Sequence, residues 1–100
     1  MMYCGVLWGL YHKQGWAIMS DHDDFIFPFW LSNAQAHKYA QQHWSNYTPR
    51  KITPQDFQES LLPTLTRLHV IPALCNASNQ KFKLTTQQMR HFFFSEPQTA

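Results

Sequence analysis

Residues 20–30 read SDHDDFIFPFW: a quartet of three aspartates and one histidine, then a dense aromatic run broken by one proline. The fold turns on whether Asp21-His22-Asp23-Asp24 is a polar turn between buried strands or a cluster built for chemistry. Asp21 and Asp23 have the first two spacings of an EF-hand loop, but that loop needs an oxygen donor, a glycine and a glutamate at its fifth, sixth and twelfth positions. Phe25, Ile26 and Ser32 stand there instead. Short aspartate side chains hydrogen-bond their own backbone in tight turns, so the quartet is expected to be a solvated turn. A metal-binding role for Asp21, His22 and Asp24 is the alternative, and it would need further ligands from elsewhere in the chain.

Short apolar runs lie on either side of that turn. Gly5 to Tyr11 (GVLWGLY) and Trp16 to Met19 (WAIM) are joined by a polar loop ending in Gly15, a residue suited to a left-handed bulge position. A third run, Phe25-Ile26-Phe27, stops at Pro28, which has no N–H to give a ladder. The three runs predict an antiparallel meander. None alternates cleanly between apolar and polar residues, which implies strands covered on both faces.

Ser32 is placed to cap a helix over residues 33–44, with Ala36, Tyr39, Ala40, His43 and Trp44 on one face. Thr53-Pro54-Gln55-Asp56 supplies a cap, a proline at the first helical position and an acid in the first turn. Phe57, Leu61, Leu65 and Leu68 form the buried stripe of that second helix, and Pro63 predicts a kink or break near Leu62. VIPALC (70–75) and KFKL (81–84) read as a second hairpin across a turn-rich segment, with Pro72 implying an edge or bulged strand. Thr85 to Gln88 resembles a capping box opening a third helix with Met89, Phe92 and Phe93 on its apolar side. The expected architecture is α+β: an antiparallel meander plus a second hairpin, with about three helices packed on the sheet. It forms a single domain over residues 1–96 with a frayed tail at 97–100.

The order LWGLY (7–11), GWAIM (15–19), FPFW (27–30), Trp44 with Tyr47, Pro49-x-x-Ile52 and Phe57-x-x-x-x-Leu62-Pro63-x-Leu65 resembles domain-of-unknown-function family 2750, a group of small bacterial proteins. The resemblance covers about residues 6–70, and the C-terminal third is similar only in layout. It implies a fold grouping and no catalytic residues. Members of that family begin with a helix before the first strand, and this chain is expected to start without one, leaving a sheet face or edge in need of cover.

Composition narrows the function classes. The 100 residues are 44% hydrophobic and 16% aromatic but only 14% charged, against about 25% charged in an average domain. Such a surface favours self-association. A net charge of +2, with basic residues dispersed, does not make the basic face of a nucleic-acid binder. Weak nucleic-acid binding through Lys81-Phe82-Lys83 and Arg50-Lys51 therefore stands as a minor alternative, since lysines on an edge strand commonly guard against edge pairing. No run approaches the roughly 20 apolar residues of a membrane span. The N-terminus lacks the basic start of a signal peptide, so a cytoplasmic location is expected. Cys4 and Cys75 lack metal-site spacing and read as reduced packing residues.

No activated nucleophile and no phosphate loop is present, so no catalytic residue and no cofactor is assigned. A metal-dependent enzyme using Asp21, His22 and Asp24 is the runner-up. Phe25, Phe27, Phe29 and Trp30, with Trp8 and Trp16, exceed what one core under three short helices holds. The reading is therefore a non-catalytic interaction module, a homodimer or the partner of another protein. Phe29 and Trp30 are expected at the contact, because Pro28 should turn the chain out of the sheet.

Overall fold

The computed structural model describes residues 7–13 and 15–94. The chain is α+β, with two sheets and three helical stretches. Strands β1 (Leu7–His12) and β2 (Gly15–Trp16) form the first hairpin, and β3 (Met19–Asp21) and β4 (Asp24–Phe29) the second. Both hairpins are antiparallel, as the meander reading requires. The middle run, however, is divided between sheets: Ala17 N–H still bonds to Leu10 O at 2.7 Å, after which the chain leaves β1 and re-forms as β3 beside β4.

Helix α1 (Asn33–His43) follows, then β5 (Thr48–Ile52), which the sequence does not announce. β5 pairs with β1 over its full length, giving the order β2-β1-β5. The other sheet is β3-β4-β6-β7, with β6 (Ile71–Cys75) parallel to β4 and β7 (Lys81–Lys83) closing the edge. A reciprocal bridge joins the sheets: Trp8 N–H bonds to Trp30 O at 2.9 Å and Trp30 N–H to Trp8 O at 2.8 Å.

The caps form as the sequence implies. Ser32 Oγ accepts from Gln35 N–H at 3.1 Å at the start of α1. Thr53 and Asp56 close a capping box on α2 (Pro54–Asp56), and Thr85 and Gln88 do the same on α4 (Thr86–Met89). Between α2 and α3 (Leu62–Leu68) the helix widens into a π segment, Phe57–Leu61, in which Leu62 N–H reaches back to Phe57 O. Pro63 is accommodated here by a widened turn rather than by a break. Proline can neither donate to the Glu59 carbonyl nor pass it without a clash, and the longer register lets the helix continue. A second π segment, Arg90–Phe94, extends α4.

Both strand prolines behave differently from the expectation. Pro28 does not end β4, which runs to Phe29. Trp30 turns its N–H and C=O to Trp8, so Pro28, two residues earlier, points the same way, into an interval that β3 does not reach. No donor is missed there. Pro72 lies in an internal strand rather than at an edge. Its carbonyl accepts from Leu84 N–H at 2.8 Å, so the bond it forfeits is the reciprocal one, at the end of the short β7 ladder. Among the described residues of the first turn, Lys13 (φ 39°) rather than Gly15 is left-handed. Gly15 pairs directly with His12 and is already extended strand.

Two cores meet at the end of β4, one taking Phe27 and Phe29 and the other Trp30, the residue just past the strand. Phe27 and Phe29 pack with Leu7, Ile52, Phe57, Leu61, Leu65, Val70 and Met89. Trp30 packs on the other side with Leu10, Ala17, Ala36, Ala40 and Cys75, under α1. Two expected stripe residues fall outside: Leu68 is 50% exposed and Phe92 45%. Among the described residues no helix is long and apolar enough to cross a membrane.

Candidate functional site

The acidic quartet is the tip of the β3–β4 hairpin. Asp21 pairs with Asp24 in register, and His22 supplies the left-handed turn position (φ 56°). The two carboxylates converge on a cation the chain itself provides. Lys83 Nζ lies 3.0 Å from Asp21 Oδ2 and 3.2 Å from Asp24 Oδ2. The His22 side chain is 93% exposed, with Nε2 3.9 Å from Asp21 Oδ1. Among the described residues no group of three His, Cys, Asp or Glu side chains is arranged to hold a metal ion. The lysine thus occupies the position a cation would take between Asp21 and Asp24.

The hydrogen bond from Lys83 holds the Asp21 carboxyl below its ordinary range, and the bonds to Asp21 and Asp24 hold the Lys83 ammonium above its own. A depressed Asp contributes stability above its unfolded value and loses it as pH falls through the folded one. A raised Lys contributes below its unfolded value and loses it as pH rises through the folded one. The triad therefore supports the fold across the neutral range. Lys83→Met is expected to flatten the acid limb of a stability-versus-pH profile measured by urea unfolding. The effect should be small and screened by salt, because all three groups meet solvent. An acid limb unchanged in the variant would show that the pairing does not persist in solution.

Phe29 and Trp30, expected at a contact surface, are 0% and 1% exposed. The reason is the continuation of β4 through Pro28: Phe29 pairs with Leu74 on β6, and Trp30 with Trp8. Neither offers surface to a partner. Cys75 is likewise buried, its thiol donating to Ala73 O at 3.7 Å, and burial pushes it up to about 11. Such a thiol is a packing group rather than a nucleophile. Cys4 lies outside the described residues, as does the expectation about how the chain begins.

The surface features of interest lie elsewhere. One is a cleft of about 300 Å³ between the first hairpin and the helix of residues 54–68, lined by Tyr11, Trp16, Ile18 and Phe27 on one side and Ser60, Leu61, Thr64 and Leu65 on the other. Gly9 makes it possible, since a Cβ there would meet the Trp16 ring at 2.8 Å. Arg50, cross-strand from Gly9, sets its guanidinium 4.3 Å from the Tyr11 ring centre and 5.4 Å from that of Trp16. The other feature is a pair of half-exposed phenyl rings, Phe82 and Phe92. The basic residues do not gather. Strand alternation sends Arg50 and Lys51 to opposite faces of β5, where Lys51 lies 5.9 Å from the Trp8 ring, and Lys81 lies 5.9 Å from the Tyr39 ring.

A family model described as "protein of unknown function (DUF2750)" matches residues 2–92. The chain belongs to the DUF2750 family. The match extends beyond the resemblance read from residues 6–70 and takes in β6, β7 and α4, so the whole two-sheet arrangement described above falls within the DUF2750 region. Among curated proteins none matches the chain. Sequence reading missed the Arg50-Tyr11-Trp16 stack because its members come from three strands. The one cue available was Gly9, a glycine inside an apolar run, which commonly marks a close approach.

Proposed function

We propose that this DUF2750 protein is a non-catalytic protein-binding module that works as a homodimer, through the outer end of the four-stranded sheet where Phe82 and Phe92 lie. One observation supports this most. Phe82 is 50% and Phe92 45% exposed, and they lie on the same side of the sheet. Phe82 is in register with Leu74, and Leu74 with Phe29. Phe93, whose ring is 6.3 Å from that of Phe92, packs edge-on against Phe29 at 5.7 Å.

On a chain with 14% charged residues, two aromatic side chains on one side of the sheet left half in water favour association. Each Å² removed from water contributes about 25 cal/mol, and aromatic residues are enriched where proteins meet. Lys81 and Lys83 project from the opposite face of β7, toward Tyr39 and the acidic turn, so they do not place charge on the aromatic face. A dilution series followed by amide NMR tests the reading. Shifts are expected at residues 81–83 and 86–93, with the concentration dependence lost in Phe82→Ser. Spectra independent of concentration, or shifts elsewhere, would refute it.

A further inference from the structure

The cleft beside the first hairpin is separate from the aromatic face just described and has the makings of a ligand site. Its walls are unlike. Tyr11, Trp16 and Phe27 present ring surface, with Trp16 edge-on to Tyr11 at 5.2 Å and to Phe27 at 5.9 Å. Facing them, Ser60 and Thr64 add hydroxyls to the apolar Leu61 and Leu65. Ser60 and Leu61 belong to the π segment Phe57–Leu61, and π turns within helices are frequent at functional sites. A volume of about 300 Å³ is at the small end of ligand pockets, enough for one or two fused rings.

Arg50 lies next to the cleft rather than in its lining. Its guanidinium lies beside Tyr11 and Trp16, two rings that line the cleft, on the face of β5 that Gly9 and Tyr11 share. Among the described residues no carboxylate pairs with it. A guanidinium lying over aromatic rings keeps its N–H edge for a planar anion, which it can hold by two parallel hydrogen bonds.

We propose that this cleft binds a small aromatic carboxylate, its ring held between Trp16 and the Ser60-Leu61-Thr64-Leu65 wall and its carboxylate on Arg50. Ring and charge are both required. An aliphatic acid lacks the stacking surface, and a neutral aromatic leaves the guanidinium without its anion.

Amide NMR titration of the full chain with indoleacetate, and with indoleacetamide as the uncharged control, tests this directly. Indoleacetate is expected to shift the resonances of residues 15–18 and 60–65 and to bind about tenfold or more tightly than the amide, the factor a charge-assisted hydrogen bond supplies. Arg50→Met should abolish that preference, and Thr64→Met, which fills the cleft, should weaken both compounds. The acid-versus-amide comparison on the native chain needs no variant, so it decides the matter even if a substitution disturbs folding. No shift at the cleft, equal binding of acid and amide, or a preference that survives Arg50→Met would overturn the proposal.

Discussion

Trp30→Ala is expected to lower the unfolding free energy by about 3–5 kcal/mol, the cost of deleting a large buried side chain together with the cavity it leaves. The ring is 1% exposed and sits among Leu10, Ala17, Ala36, Ala40 and Cys75, 5.2 Å from the Tyr39 ring. Its fully buried neighbours include three alanines, which cannot close over the space of an indole. The loss therefore falls near the upper end of that range. The Trp8–Trp30 backbone bridge does not depend on the side chain, so the two sheets should stay joined and the variant should unfold cooperatively at lower urea. A change below about 0.5 kcal/mol, the scale of a surface substitution, would mean that Trp30 is not inside.

Gly9→Ala is the second large effect, and its sign is informative. Glycine within a strand ordinarily destabilises by roughly 0.5–1 kcal/mol relative to alanine, so adding a methyl should help wherever there is room. Here a Cβ would stand 2.8 and 2.9 Å from two Trp16 ring carbons and 3.3 Å from Phe27. Trp16 is braced by Tyr11 and Phe27, edge-on to both, and Phe27 is fully buried, so neither ring can give way cheaply. Overpacking of this kind costs about 1–3 kcal/mol. Urea unfolding of Gly9→Ala should show that loss, with an altered near-ultraviolet signal from Trp16. A stabilised variant would place Trp16 away from Gly9 and remove one wall of the cleft.

The local parts of this fold were legible because local chemistry specifies them. Ser32, Thr53 and Thr85 cap helices through hydroxyls that reach a backbone N–H three residues on. Asn76 builds the β6–β7 turn by accepting from Ser78 and Gln80. What could not be read depends on distant partners. TPRKI, residues 48–52, carries a proline and two charges and becomes a strand because the edge of β1 is there to receive it. The parallel pairing of β4 with β6 spans a crossover of some forty residues, and it turns FPFW from an apparent exit into the middle of the protein. Pro28 and Pro72 were misread because a proline is excluded only where its missing donor is needed, and that is a property of the neighbouring strand.

The candidate sites divide the same way. The turn at Asp21–Asp24 was visible, but its cation, Lys83, is 59 residues from Asp24. The aromatic surplus was visible too, while its partition was not. A single core could not hold Phe27, Phe29 and Trp30 together, but two cores that meet at the end of β4 do. Three phenylalanine rings stay exposed among the described residues: Phe25 on β4 beside the acidic turn, Phe82 on the sheet's outer strand and Phe92 in the last helical turn.

The claim that the protein acts by association through Phe82 and Phe92 is tested most directly by sedimentation equilibrium of the full chain over a wide concentration range, beside the double variant Phe82→Ser/Phe92→Ser. Both substitutions fall on half-exposed side chains, so the fold should survive them. The account predicts a reversible monomer–dimer equilibrium in the native chain and a monomer throughout in the double variant. A native chain that stays monomeric at high micromolar concentration, or a dimer that persists unchanged in the variant, would contradict it.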